Sequence, residues 1–586
     1  MADKQFITID GVAVEMERGL NVLEHAKKAG IDIPAFCYSP ELSIYGACRM
    51  CIVEIVDQRT GRSSLDSSCS LLPKAGMVIK TNTAKLRMYR KNILELLLAN
   101  HCRDCTTCDN SQRCALQGFA DRYGLTGVRY PQLAPTPELD TSSYCITKDK
   151  AKCISCGKCI RMCNEIQRVG AIDFAHRGTE MEVACVGEKP IGESICVGCG
   201  QCAAVCPTGA LVVNNNTSKV WKLIDDPKVK VSVQIAPAVR VAVGNAFNIP
   251  PAQNTFGRLV AALRRIGFDE IYDTNVSADM TIIQEAAELL ARLKTNPKWP
   301  LFTSCCPAWI QYVEKHHPEV MPHVSTTKSP MQLFAGTYKK AGVNEGWVRG
   351  AIMPCTAKKF EGNRGEFKTG DKQDIGFVLT SQEAVRMIKE AGIDYANIEP
   401  EAVEGTWGNT TGAAVIFGVS GGVMEAALRY AAFAILGRQP TDAEYEYIAT
   451  SGVRGIPHPD AKAGALVDGI KTFDVKVGEA ALKIAVVSGL ANAHEIIERI
   501  KGGEHFDFVE VMACPGGCIG GGGQPPANWD VKAERAKGLY LADKEYPLKS
   551  VEQNPVMQEW MKIMGDEHAQ HEFWHIHYAG HGGGHH

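Results

Sequence analysis

The sequence predicts a multidomain chain, a set of small α+β modules followed by a large α/β half. Three observations carry this. The length, 586 residues, exceeds what one hydrophobic core organises and fits about three to five domains. The 23 cysteines fall in tight clusters, eighteen of them before residue 210. Beyond residue 228, apolar strands alternate with amphipathic helices, the pattern of mostly parallel sheets.

Composition narrows the class. Charged residues are 22% and hydrophobic ones 45%, an ordinary globular balance. Lys and Arg number 63 against 66 Asp and Glu, a net charge of −3, so no basic excess points to nucleic acid. No run reaches the ~18 apolar residues of a membrane helix. The start, MADKQFITIDGVAVEM, lacks a basic segment followed by an apolar one. A cytoplasmic protein is expected, with neither nucleic acid nor membrane as partner. Disulfide frameworks belong mainly to small secreted domains, so the cysteine clusters read as metal ligands.

At the N-terminus, ITIDGVAVEM reads as a hairpin around Asp10-Gly11. NVLEHAKKAG reads as a helix ending at Gly30. Cys37, Cys48, Cys51 and Cys69 follow, with gaps of ten, two and seventeen residues. Four thiolates suit a [2Fe-2S] cluster or a zinc site. A small sheet with a cysteine loop resembles a plant-type ferredoxin domain, here residues 1–82, which favours iron. The ten-residue first gap departs from plant ferredoxins. It is similar to the ferredoxin-like domains of complex I and of iron–iron hydrogenases.

The helical stretch AKLRMYRKNILELLLAN leads to HCRDCTTCDNSQRC. There His101, Cys105, Cys108 and Cys114 stand at H-x3-C-x2-C-x5-C. This resembles the [4Fe-4S] site of the same two families, held by one histidine and three cysteines (residues 83–126). Cys102 competes with His101 as ligand. An imidazole in place of a thiolate makes such a cluster less negative and raises its potential.

Residues 140–213 carry the one clear internal repeat. Cys153, Cys156, Cys159 and Cys163, then Cys196, Cys199, Cys202 and Cys206, both follow C-x2-C-x2-C-x3-C. In the bacterial ferredoxin run the fourth cysteine ligates the other cluster. Cys153, Cys156, Cys159 and Cys206 are therefore expected to hold one [4Fe-4S] cluster, and Cys196, Cys199, Cys202 and Cys163 the second. The first 210 residues read as an electron wire with nothing resembling a substrate pocket.

The polar stretch NNNTSKVWKLIDDPK marks a boundary near residues 214–228. Beyond it, VKVSVQIAP reads as a strand, FGRLVAALRRI as a helix, ALKIAVVSGLANAHEIIERI as strand, turn and helix, and FDFVEVMAC as a strand. The last cysteines stand at strand ends: Cys305 and Cys306 in LFTSCCPAW, Cys355 in VRGAIMPCTAKKFE, Cys514 and Cys518 in VEVMACPGGCIGGGGQP. Ligands of open α/β sheets gather beyond such carboxyl ends, so three distant segments can converge on one site.

Together these three segments resemble the active-site motifs of the iron–iron hydrogenases, in order, and the resemblance extends over roughly residues 1–570. It implies ferredoxin-like Fe-S modules followed by a two-lobed α/β catalytic domain (228–565) and a His-rich tail (566–586). It also implies an anaerobic enzyme for reversible H2 oxidation. Its cofactors would be one [2Fe-2S] cluster, three accessory [4Fe-4S] clusters and an H-cluster. In the H-cluster, Cys306, Cys355, Cys514 and Cys518 would hold a [4Fe-4S] cubane. Cys518 would bridge to a two-iron subcluster bearing CO, cyanide and an azadithiolate. Lys358 would donate to a cyanide, whereas its neighbour Lys359 suits the surface. Met353 and Met512 would line the pocket. Cys305, Glu285, Ser325 and Glu288 match the family's proton relay, and Glu361 a nearby hydrogen-bond network. On residue type alone, Glu285 and Glu288 would be an ordinary solvated helix face.

Two positions depart from clostridial members: Ala238 stands where a serine is common and Met331 where a polar residue is common. Cys102, Cys145 and Cys185 have no assigned role and suit small buried hydrophobes. In the tail, His568, His571, His575, His577, His581, His585 and His586 suit Ni or Zn. A solvated tail, or a short helix docked through Phe573 and Trp574, is the plainer reading.

The long form is similar to the catalytic subunit of NAD(P)-linked, often electron-bifurcating, hydrogenases, and also to some monomeric clostridial enzymes. The chain shows no clear G-x-G-x-x-G fingerprint. Complex I-like flavin and Fe-S subunits that bind NAD(P) are therefore expected partners in a hetero-oligomer, with ferredoxin and maturation proteins. The competing reading is a non-catalytic iron–sulfur electron-transfer or cluster-assembly protein. The retention of Cys305, Lys358 and the relay together weighs against it.

Overall fold

The structure is a computed structural model that describes residues 4–133, 138–295, 298–405, 407–456, 469–478 and 480–578. His581, His585 and His586 lie outside the described residues.

The N-terminal hairpin forms as its sequence dictates. Phe6–Ile9 pairs antiparallel with Val12–Glu15. Asp10 and Gly11 both take positive φ, 46° and 85°, as a type I′ turn requires. The five-stranded sheet runs Val12–Glu15, Phe6–Ile9, Val78–Lys80, Ile52–Val56, Ser63–Ser67. The helix Val22–Lys28, started by an Asn21–Glu24 capping box, packs Val22 and Ala26 against Ile9, Val53 and Ile79.

The helix Ala84–Ala99, capped by Thr83, is locked to this sheet by a buried guanidinium. Arg90 donates to the carbonyls of Met50 (3.1 Å), Thr81 (2.9 Å) and Ile52 (2.7 Å). The internal repeat appears as two short helices, Lys158–Arg161 and Gln201–Val205. Each follows a left-handed glycine, Gly157 (φ 69°) or Gly200 (φ 71°). Ile146–Asp149 and Leu211–Val213 pair antiparallel beneath them. The polar boundary is itself ordered: Thr217–Ile224 is helical, with Val220 buried in the core of the catalytic half.

That half holds two four-stranded sheets among the described residues. In the first, Glu270–Asp273, Val231–Ile235, Val348–Met353 and Phe377–Thr380 are all parallel. In the second, Leu301–Phe302, Phe508–Met512 and Ala480–Ser488 are parallel, and Ile470–Val477 closes the edge antiparallel. Helices cover both faces, so Val231–Ile235 and Phe508–Met512 are buried at every position, as central parallel strands are. Two lobes with separate cores result. No helix of the described residues is long and apolar enough to cross a membrane.

The C-terminal segment docks on this half through a short helix, Glu567–Trp574. Trp574 is fully buried, its indole N–H on Thr337 Oγ1 at 2.9 Å.

Candidate active site

The structure gathers the expected ligands group by group. Cys153, Cys156, Cys159 and Cys206 line one small cavity, so the fourth cysteine of the second run does cross to the first. Cys163 lies within electrostatic reach of Cys196, Cys199 and Cys202. Cys37, Cys48, Cys51 and Cys69 also face one another. Backbone N–H groups point at several of these sulfurs: Phe36 at Cys48 (3.4 Å), Ser155 at Cys153 (3.3 Å) and Gly198 at Cys196 (3.4 Å). Such bonds favour thiolates and tune cluster potentials.

Cys105, Cys108 and Cys114 face one another, with Cys102 near Cys105. His101 is buried, and its Nε2 has no hydrogen-bond partner. A buried ring nitrogen without a partner is costly unless something coordinates it, which fits a ligand role.

The catalytic half brings its three cysteine segments to a single cavity of about 80 Å³. Strand ends place them: Cys305 and Cys306 follow Leu301–Phe302, Cys355 follows Val348–Met353, and Cys514 follows Phe508–Met512. Cys306, Cys355, Cys514 and Cys518 all line the cavity, with Cys305, Lys358, Met353 and Met512. Ala238 and Met331, the two departures, line it as well.

The glycine run is packed as closely as expected. A Cβ on Gly517, whose φ is 91°, would stand 2.5 Å from the Ser420 nitrogen and 2.9 Å from the Met512 sulfur. At Gly522 a Cβ would lie 2.6 Å from the Cys199 carbonyl, so the loop of the last accessory cage abuts the catalytic loop. Gln201 Nε2 bridges the two by donating to Gly520 O at 2.9 Å.

Lys358 is buried, its Nζ 2.6 Å from Glu361 Oε2 but off the line of a hydrogen bond. Burial works against its charge, yet the Glu361 carboxylate outweighs it and holds the ammonium above its ordinary value. Glu361 is fixed from the other side by Ser329 Oγ at 2.5 Å. A buried cation with donors to spare, beside four cysteines, fits an iron–sulfur group with anionic ligands.

Two carboxylates lead away from Cys305, both on the helix Asn275–Leu293. Glu285 is fully buried. Its Oε1 accepts from Ser304 N at 3.1 Å, and its Oε2 has no partner. Burial pushes its carboxyl up to about 8. Burial also acts on Glu288, but hydrogen bonds from His575, Thr326 and Ser325 outweigh it and hold that carboxyl below its ordinary value. Thr326 supplies both its N–H (3.1 Å) and its hydroxyl (2.6 Å). Ser325 is buried between, its Oγ accepting from Thr327 N at 3.1 Å. The face that residue type alone would leave solvated is thus enclosed, with Glu285 buried and Glu288 half-buried, as the family resemblance implied. Its two carboxyls are pushed in opposite directions, an arrangement typical of proton handling.

One expectation fails. Lys359 is not at the surface: it is buried, with its Nζ 2.8 Å from Glu383 Oε1. The short helix Ala357–Glu361 is largely buried, and Glu383, whose carboxylate also accepts from Thr380 N in the capping box of the next helix, was available as an internal partner. Sequence reasoning also missed Thr274 and Phe417, which line the cavity, and Thr326 and His575 beside Glu288. Only Thr326, adjacent to Ser325, carried a local signal. Cys145 and Cys185 are buried, as expected of small hydrophobes, while Cys102 is partly exposed.

Comparison with known proteins agrees with this geometry. The C-terminal domain of the iron-only hydrogenase large subunit matches residues 229–522. A 2Fe-2S cluster-binding domain matches residues 5–84, the iron–sulfur binding region of NADH-ubiquinone oxidoreductase G residues 90–129, and a 4Fe-4S dicluster domain residues 152–210. The NADP-reducing hydrogenase subunit HndD of Solidesulfovibrio fructosivorans is 39% identical, over 98% of each chain. Iron hydrogenase 1 of Clostridium pasteurianum is 33% identical, over 98% of this chain and 99% of its own. A solved [FeFe]-hydrogenase of Chlamydomonas reinhardtii superposes with a TM-score of 0.52 at 35% identity, covering 63% of this chain and all of that one. On these matches the chain belongs to the iron-only hydrogenase large-subunit family and is an [FeFe]-hydrogenase.

Proposed function

We propose that the chain oxidises H2 reversibly to protons and electrons. The electrons pass through one [2Fe-2S] and three [4Fe-4S] clusters to a complex I-like flavoprotein partner that binds NAD(P), to ferredoxin, or to both by bifurcation. The observation that carries the hydrogenase reading is the convergence of Cys306, Cys355, Cys514 and Cys518 with Cys305 and Lys358 on one cavity. In this reading Cys306, Cys355, Cys514 and Cys518 would hold the H-cluster. When bound, the two-iron group supplies the metal centre for H2 cleavage.

The chain's own residues do the rest. Lys358 orients the anionic ligands. Met353, Met512, Met331 and Phe417 keep the cavity dry, which strengthens every charge interaction inside it. Cys305 stays a neutral thiol, because burial raises it well above its ordinary value, and it hands protons to and from Glu285. Glu285 carries a proton near neutral pH and Glu288 does not, so a proton entering at Glu288 has a vacant site and one ahead of it a loaded one.

The electron route is supported by contact between the Cys196–Cys206 module and the catalytic loop at Gly520 and Gly522. The NAD(P) link is supported by the relative named as NADP-reducing and by the match to a complex I region, in a cytoplasmic setting. The test is H2-driven reduction by the isolated, cofactor-loaded chain. Reduction of ferredoxin but not NAD(P)+, with NAD(P)+ reduction appearing when a flavoprotein subunit is added, is the expected result. Direct NAD(P)+ reduction by the isolated chain would overturn the partner assignment.

A further inference from the structure

The Glu288 end of the carboxylate line is met by the C-terminal segment. Backbone pairing fixes the meeting: Ile576 N donates to Thr326 O and Lys328 N to Trp574 O, each at 2.7 Å. With Trp574 anchored on Thr337, this register holds the His575 ring among three side chains. Its Nδ1 lies 2.9 Å from Thr326 Oγ1 and 3.5 Å from Glu288 Oε1, and its Nε2 3.1 Å from Gln284 Oε1. On the outer side, His571 stacks on both His575 and His577, each at 5.3 Å between ring centroids. The His575 side chain is 13% exposed, whereas His571 and His577 are exposed.

We propose that His575 is the outer proton-relay residue of this hydrogenase, exchanging protons with Glu288 through its Nδ1 and with solvent through the exposed His571 and His577. The proposal rests on the hydrogenase reading. Gln284 Oε1 can only accept, so it keeps the proton on Nε2 and leaves Nδ1 as the atom that gains and loses one. The step balances without electrons. Imidazolium at His575 gives one proton to the Glu288 carboxylate and becomes neutral, and a solvent or buffer acid restores the imidazolium. In H2 oxidation the same steps run backward. The charged and titratable groups around the ring are Glu288 and, beside it, Arg292 on the long helix. His571 and His568 lie on its own helix, His577 just beyond, and Lys328 on the paired segment.

The test uses the full chain loaded with all clusters. Wild-type turnover, with infrared bands of iron-bound CO and cyanide, first secures the hydrogenase reading, and its absence would sink that reading rather than this one. In His575→Ala, H2 evolution above pH 7 should fall about tenfold, with the infrared bands unchanged and much of the rate restored by added imidazole. His575→Asn keeps a hydrogen-bonding group beside Thr326 but cannot titrate, and should lose rate to the same extent. His571→Ala should cost about two- to threefold. A wild-type rate and pH profile in His575→Asn, or a loss in His575→Ala that imidazole does not relieve, would overturn the proposal.

Discussion

The N-terminal modules and the catalytic half both gather thiols into cages, but they build them differently. In the modules, ligands that belong together sit mostly on one short loop, such as the single turn Cys105–Thr107 that ends at Cys108. The catalytic cavity takes its four cysteines from strand ends in both lobes, Val348–Met353 in one and Leu301–Phe302 and Phe508–Met512 in the other. A loop cage forms wherever its loop is held. The catalytic cage forms only when both sheets are in register, so cofactor placement is tied to the whole α/β fold. The surroundings differ too. The module cages are met mainly by backbone N–H groups, whereas the catalytic cavity adds a buried ammonium and a thiol backed by a neutral carboxyl. Electron transfer needs only a tuned potential, while H2 chemistry also needs a proton path.

The sharpest way to break this comparison is Cys518→Ser. If the cages are independent, H2 turnover falls by roughly a thousandfold or more, while iron content and electron paramagnetic resonance signals of the accessory clusters persist. Loss of the module clusters as well would show that the two regions fold as one unit. Next in size is Glu285→Gln, which keeps shape but cannot carry a mobile proton. Turnover should fall about a hundredfold with the CO and cyanide infrared bands retained. Cys153→Ser probes the other side. Electron delivery to an external acceptor should fall about tenfold, while exchange between D2 and solvent protons, which needs no external electrons, stays near wild type.

The last test reads stability rather than rate. Burial raises Glu285 from 4.5 to about 8 in the folded state. The folded state therefore binds the proton more tightly, and stability falls as pH rises from about 4.5 to about 8. At about 1.4 kcal/mol per unit, the cost above that window is at most ~5 kcal/mol. Cofactor-free Glu285→Gln should therefore melt higher than the cofactor-free wild type at pH 8.5, with the gap closing toward pH 5. An equal gap at both pH values would contradict this.

What was legible in the sequence follows the same division. C-x2-C-x2-C-x3-C reports its own cage because ligand spacing and loop geometry are local, and the crossing of Cys206 to the first cluster was readable from the repeat. The strands Val231–Ile235 and Phe508–Met512 were readable as continuous apolar runs. The convergence of Cys306, Cys355 and Cys514 was readable only because each ends a strand and because the motifs resemble a family. Burial of single charges was not readable from the residues alone: Lys358 was placed at the site only through the resemblance, and Lys359, adjacent and chemically alike, is enclosed by a contact distant in sequence, Glu383. Likewise the contact of His575 with Glu288 and Thr326 depends on a C-terminal segment returning to pair with residues 326–328, which no local pattern announces.

The central claim is that the cavity between the two lobes holds a two-iron group with diatomic ligands, beside Lys358 and Cys305. The most direct measurement is an infrared spectrum of the chain produced anaerobically with its maturation proteins, recorded with iron content. The account predicts sharp bands from iron-bound CO and cyanide, shifted on exposure to H2. A sample with the accessory clusters filled and no such bands would contradict it.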